Sequence, residues 1–220
     1  MSLLVGASGF SFASWKPGFY PAGTKQGDFL RFYSERLSTV ELNTTFYRLP
    51  AAAQLERWAG QVPDGFRFAV KAPRSLSIWG RVGEAREFCD RARALGDRLG
   101  PLLVRLHDTR ERDDDFLAGL LDGLDPGMAV ALDLRDRSWD GIEPELERWG
   151  AVRVNQLEAG ASFRYLRLRE PPYDDASLRP WAERIRAMVD SGLTVFAYFR
   201  HEDEPTAPAY AARLRELVDG

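Results

Sequence analysis

Apolar and polar residues alternate with a period of two in several of eight short, mainly apolar runs of this chain, and stretches of helical period separate most of them. LLVGAS (3–8), Thr39–Asn43, Phe66–Ala72, LLVRLH (102–107), MAVALDLR (128–135), Val152–Asn155, Phe163–Leu168 and LTVFAYF (193–199) read as strands. Helices are expected after Asp28 (with Phe29, Phe32, Tyr33 and Leu37 inward), over Ala51–Ala59, and over Glu84–Leu99. More follow the acidic run Asp113–Asp115, over 142–149, over Ser177–Ser191 with Pro180 in its first turn, and over Ala207–Val218. Two connections depart from this rhythm: PRSLSIWGRVG (73–83) reads as irregular, and QLEAGAS (156–162) is too short for a full helix. Alternating strands and helices predict α/β architecture with a parallel sheet. Eight units in 220 residues predict a compact, slightly irregular (β/α)8 TIM-like barrel forming a single domain over 1–220. A doubly wound open sheet is the alternative, although GASGFS matches its glycine-rich fingerprint only in part.

Strands covered by helices and packed around a core should be apolar on both faces. One face here is not. Its inward set would be Thr39, Glu41 and Asn43; Arg67, Ala69 and Lys71; Leu103, Arg105 and His107; Ala129, Ala131, Asp133 and Arg135; Arg153 and Asn155; Tyr165, Arg167 and Arg169; Phe196, Tyr198 and Arg200. The polar members gather toward strand C-termini, where barrel active sites lie. Lys71, Arg105, Arg135, Arg153, Arg167, Arg169 and Arg200 face only Glu41 and Asp133 as acids. Such a lining focuses field on anions, and the arginine fork suits phosphate or carboxylate. A purely structural network of salt bridges is the competing reading, and two carboxylates do not balance seven cations.

The net charge of −3 argues against general affinity for polyanions, so an anion site must be local. The one cysteine, Cys89, excludes an internal disulfide and reads as helix core. No signal-peptide pattern or membrane-length apolar run occurs, so a cytoplasmic location and no membrane partner are expected. His107 and His201 are too few for a multi-metal site. No metal site and no cofactor are assigned, with a single Mg²⁺ on Glu41 or Asp133 left open. The aromatic segment 9–27 contains Phe10, Phe12, Trp15, Phe19 and Tyr20, which either stack on a ligand above the basic lining or form a local mini-core; Trp139 carries the same alternatives.

The motifs GASGFSFASWKPGFYP, VELNTTFYRLP, FRFAVKAPRSL, GDRLGPLLVRL, ALDLRDRSW and YLRLRE…WAERIR, in that order, resemble the YecE-like family, the domain of unknown function numbered 72. The resemblance spans nearly the whole chain and implies a TIM-barrel-like fold without implying an activity. Its shared polar positions fall on Glu41, Asn43, Tyr47, Lys71, Arg135 and Trp139, and Asp133 stands where glutamate is common. Two stretches depart from the pattern. Arg169-Glu170 replaces a His-Gly pair, and Arg200-His201-Glu202-Asp203 replaces an asparagine-rich run.

The expected function is capture of an anionic, phosphate-bearing small molecule or nucleic-acid segment. Glu41, Asp133 and Lys71 are the candidate catalytic groups. Asn43, Tyr47, Arg105, Arg135, Trp139, Arg167, Arg169, Arg200 and Trp15 are the candidate binding residues. Phosphoester hydrolysis and sugar-phosphate isomerase or lyase chemistry are the reaction classes in view. A non-catalytic nucleic-acid accessory module is the alternative, and no protein partner is assigned.

Overall fold

In the computed structural model, residues 2–158 and 161–220 are described. Met1 and the centre of the expected 156–162 loop, residues 159 and 160, lie outside the described residues. Eight parallel strands are observed: β1 (Leu3–Ala7), β2 (Thr39–Leu42), β3 (Arg67–Lys71), β4 (Leu99–Arg105), β5 (Val130–Asp133), β6 (Ala151–Arg153), β7 (Phe163–Leu168) and β8 (Thr194–Phe199). Their order is β6-β5-β4-β3-β2-β1-β8-β7. Consecutive strands are neighbours and β1 lies between β2 and β8, which is a barrel with a single seam, not an open sheet with a switch point.

The seam between β6 and β7 is bridged by Asn155. Its N–H donates to the Tyr165 carbonyl (3.0 Å), its Nδ2 donates to the Arg167 carbonyl (3.2 Å), and its Oδ1 accepts the Arg167 N–H (2.7 Å). One carboxamide thus supplies the donor and acceptor of a missing strand residue. The backbone reaches this position at φ 62°, a left-handed conformation that asparagine tolerates. Arg164 holds the start of β7 through the carbonyls of Ala161 (2.8 Å) and Phe163 (2.7 Å).

Among the described residues, eight α-helices surround the strands: α1 (Phe29–Ser34), α2 (Ala52–Ala59), α3 (Arg74–Ser77), α4 (Ala85–Ala92), α5 (Asp114–Gly123), α6 (Glu143–Arg148), α7 (Asp175–Asp190) and α8 (Thr206–Asp219). Several boundaries differ from expectation. The expected 84–99 helix stops at Ala92 and continues as 3₁₀ turns, because Gly96 takes φ 53° and ψ −134°. β4 therefore starts at Leu99, ahead of Gly100-Pro101. The expected irregular stretch 73–83 contains α3. Helix α7 begins earlier than expected through a capping box: Asp174 accepts the Ser177 N–H (2.8 Å) and Ser177 Oγ accepts the Asp174 N–H (2.9 Å). Pro180 consequently falls beyond the first turn.

The core has two parts. Outward strand residues such as Val40, Phe68, Val104 and Leu166 pack against the helices. Inside the barrel, Leu4, Ala69, Leu103, Ala131, Val152, Phe163, Tyr165, Phe196 and Tyr198 form a separate apolar plug. This plug fills the lower barrel and leaves the strand C-termini to polar side chains. The 9–27 segment folds as a mini-core. Trp15 and Tyr20 are wholly buried, and Tyr20 stacks on Phe29 with ring centroids 4.1 Å apart.

Candidate functional site at the strand C-termini

The alternation of β2, β5 and β7 points Glu41, Asp133 and Arg167 into the barrel just above the apolar plug. Arg167 is the centre of the arrangement, with its side chain 4% exposed. Its Nη1 donates to Asp133 Oδ2 (2.5 Å) and its Nη2 to Glu41 Oε1 (2.9 Å). Glu41 is wholly buried and also accepts from Asn43 Nδ2 (3.0 Å), Arg169 Nη2 (3.2 Å) and the Tyr165 hydroxyl (2.8 Å). Asp133 has two further cations nearby, Arg135 Nε at 3.3 Å and Arg105 Nε at 3.6 Å. Buried carboxylates persist only when paired and hydrogen-bonded, and both conditions hold here. Burial and the adjacent Glu41 carboxylate push the Tyr165 phenol well above its ordinary range, so it stays a donor.

Above this layer, Lys71, Arg105, Arg135, Arg167, Arg169 and Arg200 line one cavity of about 460 Å³, with Asn43, Glu170 and His201. Each comes from the last residues of a strand or the first residues after it. Arg105 also pairs with Asp108 (2.6 Å), and Arg169 Nη1 donates to Ser8 Oγ (3.0 Å). Among the described residues, Lys71 and Arg200 make no ion pair. Lys71 is 9% exposed and its Nζ sits 4.2 Å from the centroid of the Phe46 ring. Burial, and then the Arg167 guanidinium, lower its pKa to about 8, partly countered by Glu41.

An apolar cleft of about 510 Å³ adjoins this mouth and shares Asn43 and His201 with it. Phe10, Phe12, Leu42, Tyr47 and Trp58 supply its walls. Tyr47 is exposed there, and Phe12 stacks on the His201 imidazole at 4.7 Å.

Most of the residues expected at the site converge, but Arg153, Trp15, Trp139 and His107 do not line this mouth. Arg153 leaves the barrel interior: β6 aligns it with Leu132, it donates to Asp140 Oδ1 (3.1 Å) and Glu143 Oε1 (3.3 Å) beside α6, and it lines a neighbouring cavity of about 730 Å³ with Asp133, Arg135, Arg167 and Arg169. The apolar Val152 takes the inward place. Trp15 and Trp139 are wholly buried, so neither offers a face to a ligand. Their indoles donate to the backbone carbonyls of Glu202 (3.0 Å) and Arg110 (2.7 Å). His107 is exposed and bonds Thr109 (3.0 Å). Ser8, Asp108 and Phe46 belong to the site without having been singled out from the sequence, and Glu170, noted there only as a departure from the family pattern, lines the cavity. Asp108 lies only three residues past Arg105, a spacing suited to a local ion pair.

A family model described as "Protein of unknown function DUF72" matches residues 4–220. The chain belongs to DUF72. Within the curated proteins, UPF0759 protein YecE of Escherichia coli K12 is 33% identical over 84 residues, covering 36% of this chain and 31% of that protein. UPF0759 protein YunF of Bacillus subtilis 168 is 34% identical over 58 residues, covering 26% and 21%. The similarity thus spans under a third of the length of either curated relative. A DUF72 family protein from Thermotoga maritima superposes with a TM-score of 0.87 at 20% identity, over 100% of both chains. One from Enterococcus faecalis V583 gives 0.79 at 16% identity, over 90% of this chain and 96% of that one. These two likenesses establish the shared barrel fold. No described helix is long and apolar enough to cross a membrane.

Proposed function

We propose that the C-terminal mouth of this DUF72 barrel binds the phosphate group of a small molecule. The supporting observation is the charge count around one cavity. Six cations line it, against Glu41 and Asp133 beneath, Asp108 beside Arg105 and Arg135, and Glu170 at the rim. That leaves a surplus of two positive charges, which a phosphate ester dianion neutralises. A structural network accounts for Arg167 and Arg169, but not for Lys71 and Arg200, which make no ion pair among the described residues.

Glu41 and Asp133 act in this reading chiefly by orienting arginines. The oxygens of Glu41 are buried and already accept four hydrogen bonds, a poor state for moving protons. Arg105, Arg169 and Arg200 hold the anion. Lys71 and these arginines stabilise negative charge that develops on a bound sugar-phosphate or similar ester, which favours isomerase or lyase chemistry over hydrolysis. The modest volume of the cavity, about 460 Å³, and the net charge of −3 favour a small ligand over a nucleic-acid segment.

A thermal-shift panel tests this. It holds phosphate, sulfate, sugar phosphates, nucleotides and short DNA and RNA, at low and moderate salt, with and without Mg²⁺ or Mn²⁺. Selective stabilisation by a compact phosphate ester, lost in Lys71→Ala and Arg135→Ala, is expected. Stabilisation by oligonucleotides alone, abolished by salt, would replace this reading with the accessory-module one. No shift with any anion would leave the charges a purely structural network.

A further inference from the structure

We propose that Lys71 is an imine-forming amine, and that the ligand of this mouth carries an aldehyde or ketone near its anionic group. This rests on the anion-site reading above and adds a reaction to it. Lysine is scarce in this chain: Lys16, Lys25 and Lys71 are its three lysines among 30 basic residues. Every other cation of the mouth is arginine, which keeps its proton at all working pH values. Where charge alone serves, this sequence uses arginine. Lys71 is the one amine among the described residues that line this mouth.

Its placement suits that role. Lys71 ends β3 and lines the cavity, and its Nζ lies over the Phe46 ring without an ion pair among the described residues. The Thr45 hydroxyl lies 2.6 Å from the Lys71 carbonyl and 2.7 Å from the Leu42 carbonyl and shares its one proton between them, which ties down the backbone that carries Lys71. Arg167 and Arg105 face the amine and disfavour its protonation, whereas Glu41 and Asp133 favour it. Burial decides the balance. With a pKa of about 8, the neutral fraction at pH 7 is roughly 300 times that of an ordinary lysine. Arg105, Arg169 and Arg200 would hold the ligand's anion while its carbonyl carbon meets Nζ. The nitrogen lone pair forms the C–N bond and the carbonyl oxygen is protonated to give a carbinolamine. Loss of that oxygen as water, carrying away both amine protons in all, leaves the imine; no oxidant or reductant is required.

Pyridoxal 5′-phosphate is the probe, with phosphate-free pyridoxal as its control. Each is mixed with the whole protein, reduced with borohydride and mapped by peptide mass spectrometry. The expected result is an adduct at Lys71 at least tenfold above Lys16 and Lys25, weaker with pyridoxal and suppressed by inorganic phosphate. The pH profile of labelling should have its midpoint near 8 and move upward in Arg105→Gln, which removes a facing cation. Stabilisation by inorganic phosphate without preferential labelling of Lys71 overturns imine formation and leaves the anion site standing. Equal labelling by the two probes with no protection by phosphate overturns the anion site and this proposal together.

Discussion

Replacing Arg167 with methionine tests whether the buried carboxylates are there to hold that guanidinium. Methionine replaces the apolar stem of the arginine and removes its charge and donors. Glu41 then loses a 2.9 Å partner and Asp133 a 2.5 Å partner, both in a layer nearly closed to water. Breaking one buried pair costs about 3–5 kcal/mol. Arg169 remains 3.2 Å from Glu41, and Arg135 remains 3.3 Å from Asp133, so the total should fall near the lower end, about 3 kcal/mol at pH 8. Urea unfolding of both proteins at pH 8 reads this directly. A loss below about 1 kcal/mol would refute the reasoning.

Four further outcomes are expected. Gly6→Ala should cost about 3 kcal/mol in denaturant unfolding, because a Cβ there overlaps the Thr39 carbonyl oxygen and lies 2.8 Å from the Tyr33 hydroxyl that bridges β1 and β2. Trp15→Ala should cost about 3–5 kcal/mol while changing phosphate affinity less than twofold, since Trp15 is mini-core, and calorimetry separates the two effects. Phosphate affinity in the unmodified protein should fall roughly three- to tenfold between pH 7 and pH 9.5, as Lys71 loses its proton around pH 8; a flat titration profile would remove Lys71 from the anion site. Phenyl phosphate should bind more tightly than inorganic phosphate by using the adjoining cleft, and Trp58→Ala should erase that difference in competition binding.

The barrel was legible because polar residues recur at every second position near the C-terminal ends of otherwise apolar strands, and that alternation places Glu41, Lys71, Arg105, Asp133 and Arg167 on one face. β6 departs from this pattern. Val152–Asn155 alternates equally well in either phase, and the polar phase of the other strands suggested Arg153 inside. The structure takes the opposite phase because a valine fills the apolar plug and α6 offers Glu143 to the outward arginine. Asn155 was expected on the inner face, but its use as a bridge across the seam depends on β7, which the local sequence does not encode. Trp15 and Trp139 illustrate a related limit. Aromatics near a strand end look alike whether they cap a core or a ligand, and only burial distinguishes them. The lysine at position 71 was visible as a strand-end cation. Its lack of an ion-pair partner follows from Arg167 and Arg169 occupying Glu41, which is a tertiary fact.

The anion site is tested most directly by locating an anion with a distinctive scattering signal. Crystals grown without phosphate or sulfate and soaked in tungstate would show it by anomalous diffraction. The charge surplus predicts a tungstate ion in the mouth, within about 3 Å of donors from at least two of Arg105, Arg169 and Arg200, and absent from Arg200→Gln crystals. Tungstate bound only elsewhere on the surface, with this cavity accessible to solvent and free of the ion, would contradict the account.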